Sequence, residues 1–328
     1  MLQRCCVLFF LLGVVALSAT GCAGGCPDVK LLDSSVDPPG LVQMLFSVEC
    51  ANEPVTAIES ADITLAEGGT DVSSAESDWR LDPVTAALET YTLLLMDVSD
   101  SIIDQGTLET AQEVATDFAS TLVDRGQQVS VAVFDGDAEI RTIVDFTSNL
   151  QSLEDGIASI GPEDQLDGST NLNGAVLAGL DVLDSVVNPD VEAELVSVAN
   201  MVVFTDGLDR AGRETHSRAV NAVQSSDHEV FVVALIDAEV EAEELEELGE
   251  DGFFRADDVA ALTETFDLLI SRLVAEVNKY YRVSYCSPLR SPQTKLKLTV
   301  DWQESRDSVS VSYKTKDFGP GCELPPAQ

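Results

Sequence analysis

The chain has 328 residues, enough for one large domain or two smaller ones with proper cores. Lys and Arg number 18 against 58 Asp and Glu, a formal net charge of −40. That balance argues against nucleic-acid binding, where backbone phosphates would be repelled, and against unaided docking on anionic lipid. The carboxylates are spread along the chain, so they read as solubilising charge rather than a cation store.

Residues 1–21 read as a signal peptide. Arg4 precedes an apolar stretch from Val7 to Leu17, followed by small residues from Ser18 to Gly21. The stretch is short for a transmembrane helix, and no later window supplies roughly 18 apolar residues in a row. Ala19-Thr20-Gly21-Cys22 resembles the lipobox of bacterial lipoproteins, with Ala where Leu is usual. The resemblance implies lipid on Cys22, export to the outer membrane or cell surface, and membrane attachment only through that anchor. The alternative is an ordinary signal-peptidase cut nearby, giving a periplasmic or secreted protein. If Cys5 and Cys6 are removed and Cys22 carries lipid, then Cys26, Cys50, Cys286 and Cys322 remain, an even number in an oxidising compartment. Four cysteines allow three pairings; nearness along the chain favours Cys26–Cys50 and Cys286–Cys322.

Residues 22–88 form a β-rich segment. Leu45–Val48 and Ile63–Leu65 are short strands, divided by Asn52-Glu53-Pro54 and closed by Gly68-Gly69, with a polar loop from Ser73 to Asp78. From about Tyr91 strand and helix alternate, and residues 89–279 make one α/β domain. Tyr91–Met96 is a continuous apolar run, as expected for a strand covered on both faces. Thr107–Val123 has helical spacing and stops at Gly126. Val129–Phe134 and Glu139–Val144 pair across Asp135-Gly136-Asp137, a hairpin turn too short for an EF-hand loop. Helices follow near Leu150–Ile160 and Leu172–Val187, then a buried strand Met201–Phe204 and a helix Thr215–Gln224. Strand Val230–Ile236 and a helix over Asp258–Asn278 complete the alternation. The pattern predicts a doubly wound, mainly parallel sheet with one antiparallel edge hairpin. The acidic run Ala238–Asp251 reads as a solvated helix and loop. Residues 280–328 return to period two, over Tyr281–Tyr285, Lys295–Val300 and Ser308–Tyr313. A three-stranded tail seldom stands alone, so it should pack with residues 22–88 into one β-rich module.

The chemistry gathers at strand ends. The first buried strand ends in Asp97-Val98-Ser99-Asp100-Ser101, and the second in Phe204-Thr205-Asp206-Gly207; Gly168-Ser169-Thr170-Asn171 precedes a helix. In an open α/β sheet these ends converge on the crevice where ligands bind. Hard divalent cations take oxygen ligands, and neutral hydroxyls leave the ion incompletely neutralised. This pattern, DxSxS…T…D, resembles the metal-ion-dependent adhesion site of the von Willebrand factor type A family, over roughly residues 90–279. The resemblance implies Mg2+ (or Ca2+ or Mn2+) held directly by Ser99 and Ser101, by Thr170 directly or through water, and by Asp97 and Asp206 mainly through water. It further implies a non-enzymatic binding module at the cell envelope, whose protein partner completes the coordination with an acidic side chain. A metal-dependent hydrolase and a structural envelope lipoprotein are the alternatives. The place of the site at the rim of the sheet implies that Asp97→Ala or Thr170→Ala would leave the fold largely intact. Asp100, Asp104 and Asp209 are candidates for a second cation site or, more plainly, for helix caps and loop charges. His216 and His228 lack a nucleophile to serve.

Overall fold

A computed structural model describes residues 26–73, 78–84, 88–104, 106–187, 196–236, 242–290 and 293–326. The signal segment, Cys22 and most of the Ser73–Asp78 loop lie outside the described residues. At the amino end, β1 (Asp28–Asp37) and β2 (Leu41–Cys50) form an antiparallel hairpin. Strands β3 (Glu53–Pro54), β4 (Ile63–Glu67), β5 (Thr70–Asp71) and β6 (Trp79–Pro83) follow. Strand β2 alternates over a long span, burying Val42, Met44, Phe46 and Val48 on one face. Strand β1 was not expected: it lies at a sheet edge, is largely exposed, and therefore lacks an apolar alternation to announce it.

The α/β part opens with β7 (Leu88–Asp97) and continues through β8 (Gln128–Phe134), β9 (Arg141–Thr147), β10 (Val196–Thr205), β11 (Glu229–Leu235) and β12 (Gly252–Ala256). Their order across the sheet is β12-β11-β10-β7-β8-β9, with every neighbouring pair parallel except antiparallel β8–β9. The helices are α1 (Asp100–Asp104), α2 (Leu108–Asp124), α3 (Leu150–Ser159), α4 (Leu172–Val186), α5 (His216–Ser225), α6 (Glu243–Leu248) and α7 (Leu262–Val277). Helices α2, α3 and α7 cover one face, against Leu94, Met96, Val202 and Phe204. Helices α4, α5 and α6 cover the other, against Leu93, Leu95, Met201 and Val203. Burial on both faces is why the central strands are continuously apolar. The sheet is thus doubly wound and mainly parallel, with the expected antiparallel edge. Two elements refine the reading of the acidic run. Within α6 only the glutamates are exposed; Leu245 and Leu248 are buried against the sheet. Beyond it, the five-residue β12 extends the sheet by one strand.

The tail strands β13 (Tyr280–Cys286), β14 (Thr294–Trp302) and β15 (Ser305–Tyr313) do not form one three-stranded unit. Strand β13 inserts between β2 and β6, in the order β1-β2-β13-β6, whereas β14 and β15 join β4 and β5 in the order β15-β14-β4-β5. The split lets Tyr281, Val283 and Tyr285 face Leu296, Leu298 and Val300 across one core, which also takes in Phe46, Leu65 and Tyr313. Both chain ends therefore build a two-sheet sandwich. Disulfides join Cys26 to Cys50 and Cys286 to Cys322. Among the described residues no helix is long and apolar enough to cross a membrane.

The sandwich meets the α/β part at the amino ends of the parallel strands. Leu45, Val84 and Tyr280 pack there with Leu88 and Val198. Buried Lys279 donates to Glu49 (2.6 Å) and also to Glu229, and it pairs with Glu276 (2.6 Å). Arg272 of α7 pairs with Glu276 at 2.8 Å and donates to Glu53 and to the Asn52 carbonyl. Glu49, Glu229 and Glu276 are close enough to surround an ion, but the Lys279 ammonium already fills their centre.

Candidate metal centre

At the opposite, carboxyl end of the sheet, β7 delivers Asp97 and the turn after it delivers Ser99 and Ser101. One Asp97 oxygen accepts the Ser99 backbone N–H at 2.9 Å, and the other accepts the Thr205 hydroxyl at 2.7 Å. Ser101 donates to Asp206 at 2.8 Å, and the Ser99 and Ser101 hydroxyl oxygens lie 3.3 Å apart. Thr170 arrives from the loop before α4. Its carbonyl accepts the N–H groups of Arg210 (2.8 Å) and Ala211 (3.0 Å), while the Asp100 N–H reaches the Gly168 carbonyl at 3.0 Å. The three loops carrying the five expected residues are therefore tied to one another by backbone hydrogen bonds.

The rim expectation needs correction. Asp97 has no exposed surface and Thr170 is 4% exposed, so both are interior groups. Asp97 is buried because Phe134 of β8 takes the Val98 N–H and Thr205 of β10 covers its second oxygen, closing the strand ends over it. Burial pushes its carboxyl up to about 7, against the pull of the Thr205 and Ser99 hydrogen bonds, with the Asp206 charge adding to the rise. Burial also raises Asp206, opposed by the Ser101 hydroxyl and by the Arg210 charge.

Residues outside the expected five brace these loops. Asp135, 1% exposed, accepts the N–H groups of Asp137 (2.7 Å), Leu166 and Asp167 (3.2 Å), and Arg141 stands 3.5 Å away. It is more than a hairpin turn, a role that only the approach of the 165–171 loop creates. Gly136 and Gly168 permit that approach: a Cβ on Gly168 would stand 2.2 Å from an Asp100 oxygen, and one on Gly136 2.0 Å from the Ser169 hydroxyl. Asp209 caps the start of α4 through the Asn173 N–H (2.9 Å) and accepts the Gly212 N–H (2.8 Å); Asp100 accepts Gln165 at 3.0 Å. Asp100 and Asp209 are thus committed to holding loops, and the Asp104 side chain lies outside the described residues. His216 bonds Glu247 at 2.7 Å and Asn173 at 3.3 Å, and His228 bonds Asp184 at 2.9 Å; among the described residues neither hydrogen-bonds to Asp97, Ser99, Ser101, Thr170 or Asp206.

The donor set fits a hard divalent cation. It is all oxygen, with hydroxyls outnumbering carboxylates. The 3.3 Å between the Ser99 and Ser101 hydroxyl oxygens is close to the roughly 3 Å between adjacent vertices of an octahedron with metal–oxygen distances of about 2.1 Å. Burial raises both the Asp97 and the Asp206 carboxyls, and a cation nearby would favour their charged forms. Residues 92–208 match the von Willebrand factor type A domain family. Over that segment the α/β part is similar to a von Willebrand factor type A domain. Domains of this family are generally protein-interaction modules. Solved structures similar to the chain include a von Willebrand factor type A protein from Catenulispora acidiphila, 10% identical over 87% of this chain and 73% of that one, with a TM-score of 0.46. The corresponding domain of the type V pilus tip protein Mfa5 from Porphyromonas gingivalis is 12% identical over 58% of this chain and 97% of that one, with a TM-score of 0.45. Proximal thread matrix protein 1 from the mussel byssus, with a zinc-occupied metal-ion-dependent adhesion site, is 16% identical over 64% of this chain and 49% of its own, with a TM-score of 0.44. No curated protein matches the chain.

Proposed function

We propose that this domain is a divalent-cation-dependent protein-binding module of an exported, envelope-associated protein. Ser99, Ser101 and Thr170 would hold the cation with their hydroxyls, and Asp97 and Asp206 would act through its waters. The observation that carries this reading is the hydrogen-bonded run from Ser99 through Ser101 to Asp206, set above buried Asp97 at the carboxyl end of the central strands. The bound cation supplies a positive centre with an exchangeable water position that a partner's Asp or Glu can take. Two disulfides and the signal-like segment support export, and Cys22 is the residue that would carry the lipid anchor.

The test is capture from envelope extracts with wild-type and Ser99→Ala/Ser101→Ala protein, each with magnesium or with chelator. Partners retained only by the wild type with magnesium support the reading. Partners retained equally in all four conditions would mean that the cation face is not the binding face. Calorimetric titration of the same two proteins with magnesium checks the site itself, and equal affinity in both would remove these hydroxyls from it.

A further inference from the structure

An acidic ligand approaching a chain of net charge −40 meets long-range repulsion, so the site needs local positive charge beyond the ion. Among the described residues, three arginines bear on the loops of the metal end. Two are committed. Arg141 faces buried Asp135 at 3.5 Å, and Arg213 donates to the Gly136 carbonyl and to Asp167, with Asp137 3.9 Å away. Arg210 is different: its side chain is exposed, and among the described residues its guanidinium has no hydrogen bond or ion pair. Its backbone is nevertheless fixed, because its N–H donates to the Thr170 carbonyl at 2.8 Å, and its charge acts on Asp206. The neighbouring carboxylates do not compete for it. Asp100, Asp135, Asp167 and Asp209 each already accept hydrogen bonds from other protein groups.

We infer that Arg210 is a ligand-gripping residue, which binds the second oxygen of the partner carboxylate whose first oxygen completes the cation's coordination. The inference rests on the proposed cation bridge and adds the chemistry of recognition at its edge. A guanidinium is suited to the task because its planar fork matches a carboxylate and keeps its charge at any physiological pH. An exposed side chain on a backbone pinned to Thr170 starts beside the proposed cation position without being one of its ligands. The arrangement also explains how an acidic partner is selected by so acidic a protein: the favourable charge is confined to the ion and one arginine.

The experiment uses the chain loaded with Mn2+ and follows water-proton relaxation as glutarate is added. Glutarate displacing the metal-bound water lowers the relaxation enhancement. Arg210→Ala is expected to need about tenfold more glutarate for the same displacement, with Mn2+ affinity unchanged within about twofold. Arg210→Lys should recover part of the loss. Arg218→Ala removes the same charge from an exposed arginine paired with Glu214 and should leave the midpoint in place. Equal midpoints for wild type and Arg210→Ala would overturn the role of Arg210 and leave the cation bridge standing. Equal shifts in the Arg210 and Arg218 variants would reduce it to a long-range field and overturn the specific grip. No Mn2+ binding, or no water displaced from the wild type, would overturn the cation bridge itself.

Discussion

At the scale of single residues, the metal end separates groups that support the loops from groups available to an ion. Asp97 does both. Replacing it with Ala orphans the Ser99 N–H inside the protein and takes the carboxylate acceptor from the Thr205 hydroxyl, which keeps only Gly207, so Asp97→Ala is expected to cost about 1–3 kcal/mol of stability as well as cation binding. Ser101, partly exposed, donates only to Asp206 and shares a contact with Ser99. Ser101→Ala should therefore change stability by less than about 1 kcal/mol while weakening magnesium binding at least about tenfold. Urea denaturation without metal, read beside calorimetric titration, separates the two effects. An equal loss of stability in both variants would mean that Ser101 also supports the fold.

At the scale of elements, two sites report on how helices and strands approach one another. Gly179 lies where α4 presses on the sheet. A Cβ there would stand 2.3 Å from the Met201 sulfur and 3.0 Å from a Leu95 methyl. Gly179→Ala gains about 1 kcal/mol of helix propensity but overpacks a filled interior by about 1–3 kcal/mol. A net fall in thermal midpoint is expected, and a rise would show that Met201 repacks freely. Asp251, in the connection between α6 and β12, accepts the Val230 N–H at 2.7 Å. Burial, and then the Glu229 charge, push its carboxyl from 3.8 up to about 6. The native state thus holds more protons than the unfolded chain between those values, and this group's contribution to stability falls as pH rises through that window. Asp251→Asn keeps an acceptor for Val230 and removes the titration. Relative to wild type, the variant should gain stability between pH 4 and pH 7, by at most about 3 kcal/mol. Urea melts at both pH values measure this; an unchanged difference would place the carboxyl in water.

At the scale of the whole molecule, the sandwich and the α/β domain are joined by a buried charge cluster. Burial opposes the charge on Lys279, but Glu229, with Tyr280, Glu276 and Glu49, holds its pKa above the ordinary lysine value. Removing the ammonium leaves three carboxylates facing one another without their shared cation, with only Arg272 on Glu276 and the exposed Lys30 on Glu49 to offset them. Lys279→Met is expected to destabilise the protein by about 3–5 kcal/mol, since breaking a buried pair costs more than the pair contributes. Chemical denaturation followed at a probe in each part is the check. A loss confined to the sandwich would show that the two parts unfold separately.

Much of this was legible along the chain because the signals are local. The continuous apolar run Tyr91–Met96 declares a strand buried on both faces, and Gly126, with φ +85°, ends α2 where the helical spacing fails. The DxSxS…T…D pattern marks the turn after β7, the loop before α4 and the end of β10. The roles that were not legible are conferred by distant segments. Asp135 braces a loop about thirty positions away. Thr205 caps an aspartate on another strand, and β13 leaves its neighbours in sequence to fill a gap between β2 and β6. Periodicity and turn chemistry are read over a few residues, so the sequence by itself determined the α/β alternation, the likeness of its motif to a metal site and the β character of both ends. Only the tertiary structure decided that Asp97 is interior, that β13 and β14 lie in opposite sheets, and that Arg210 is left uncommitted at the metal end. Burial, sheet partnership and the satisfaction of charge are properties of three-dimensional neighbours.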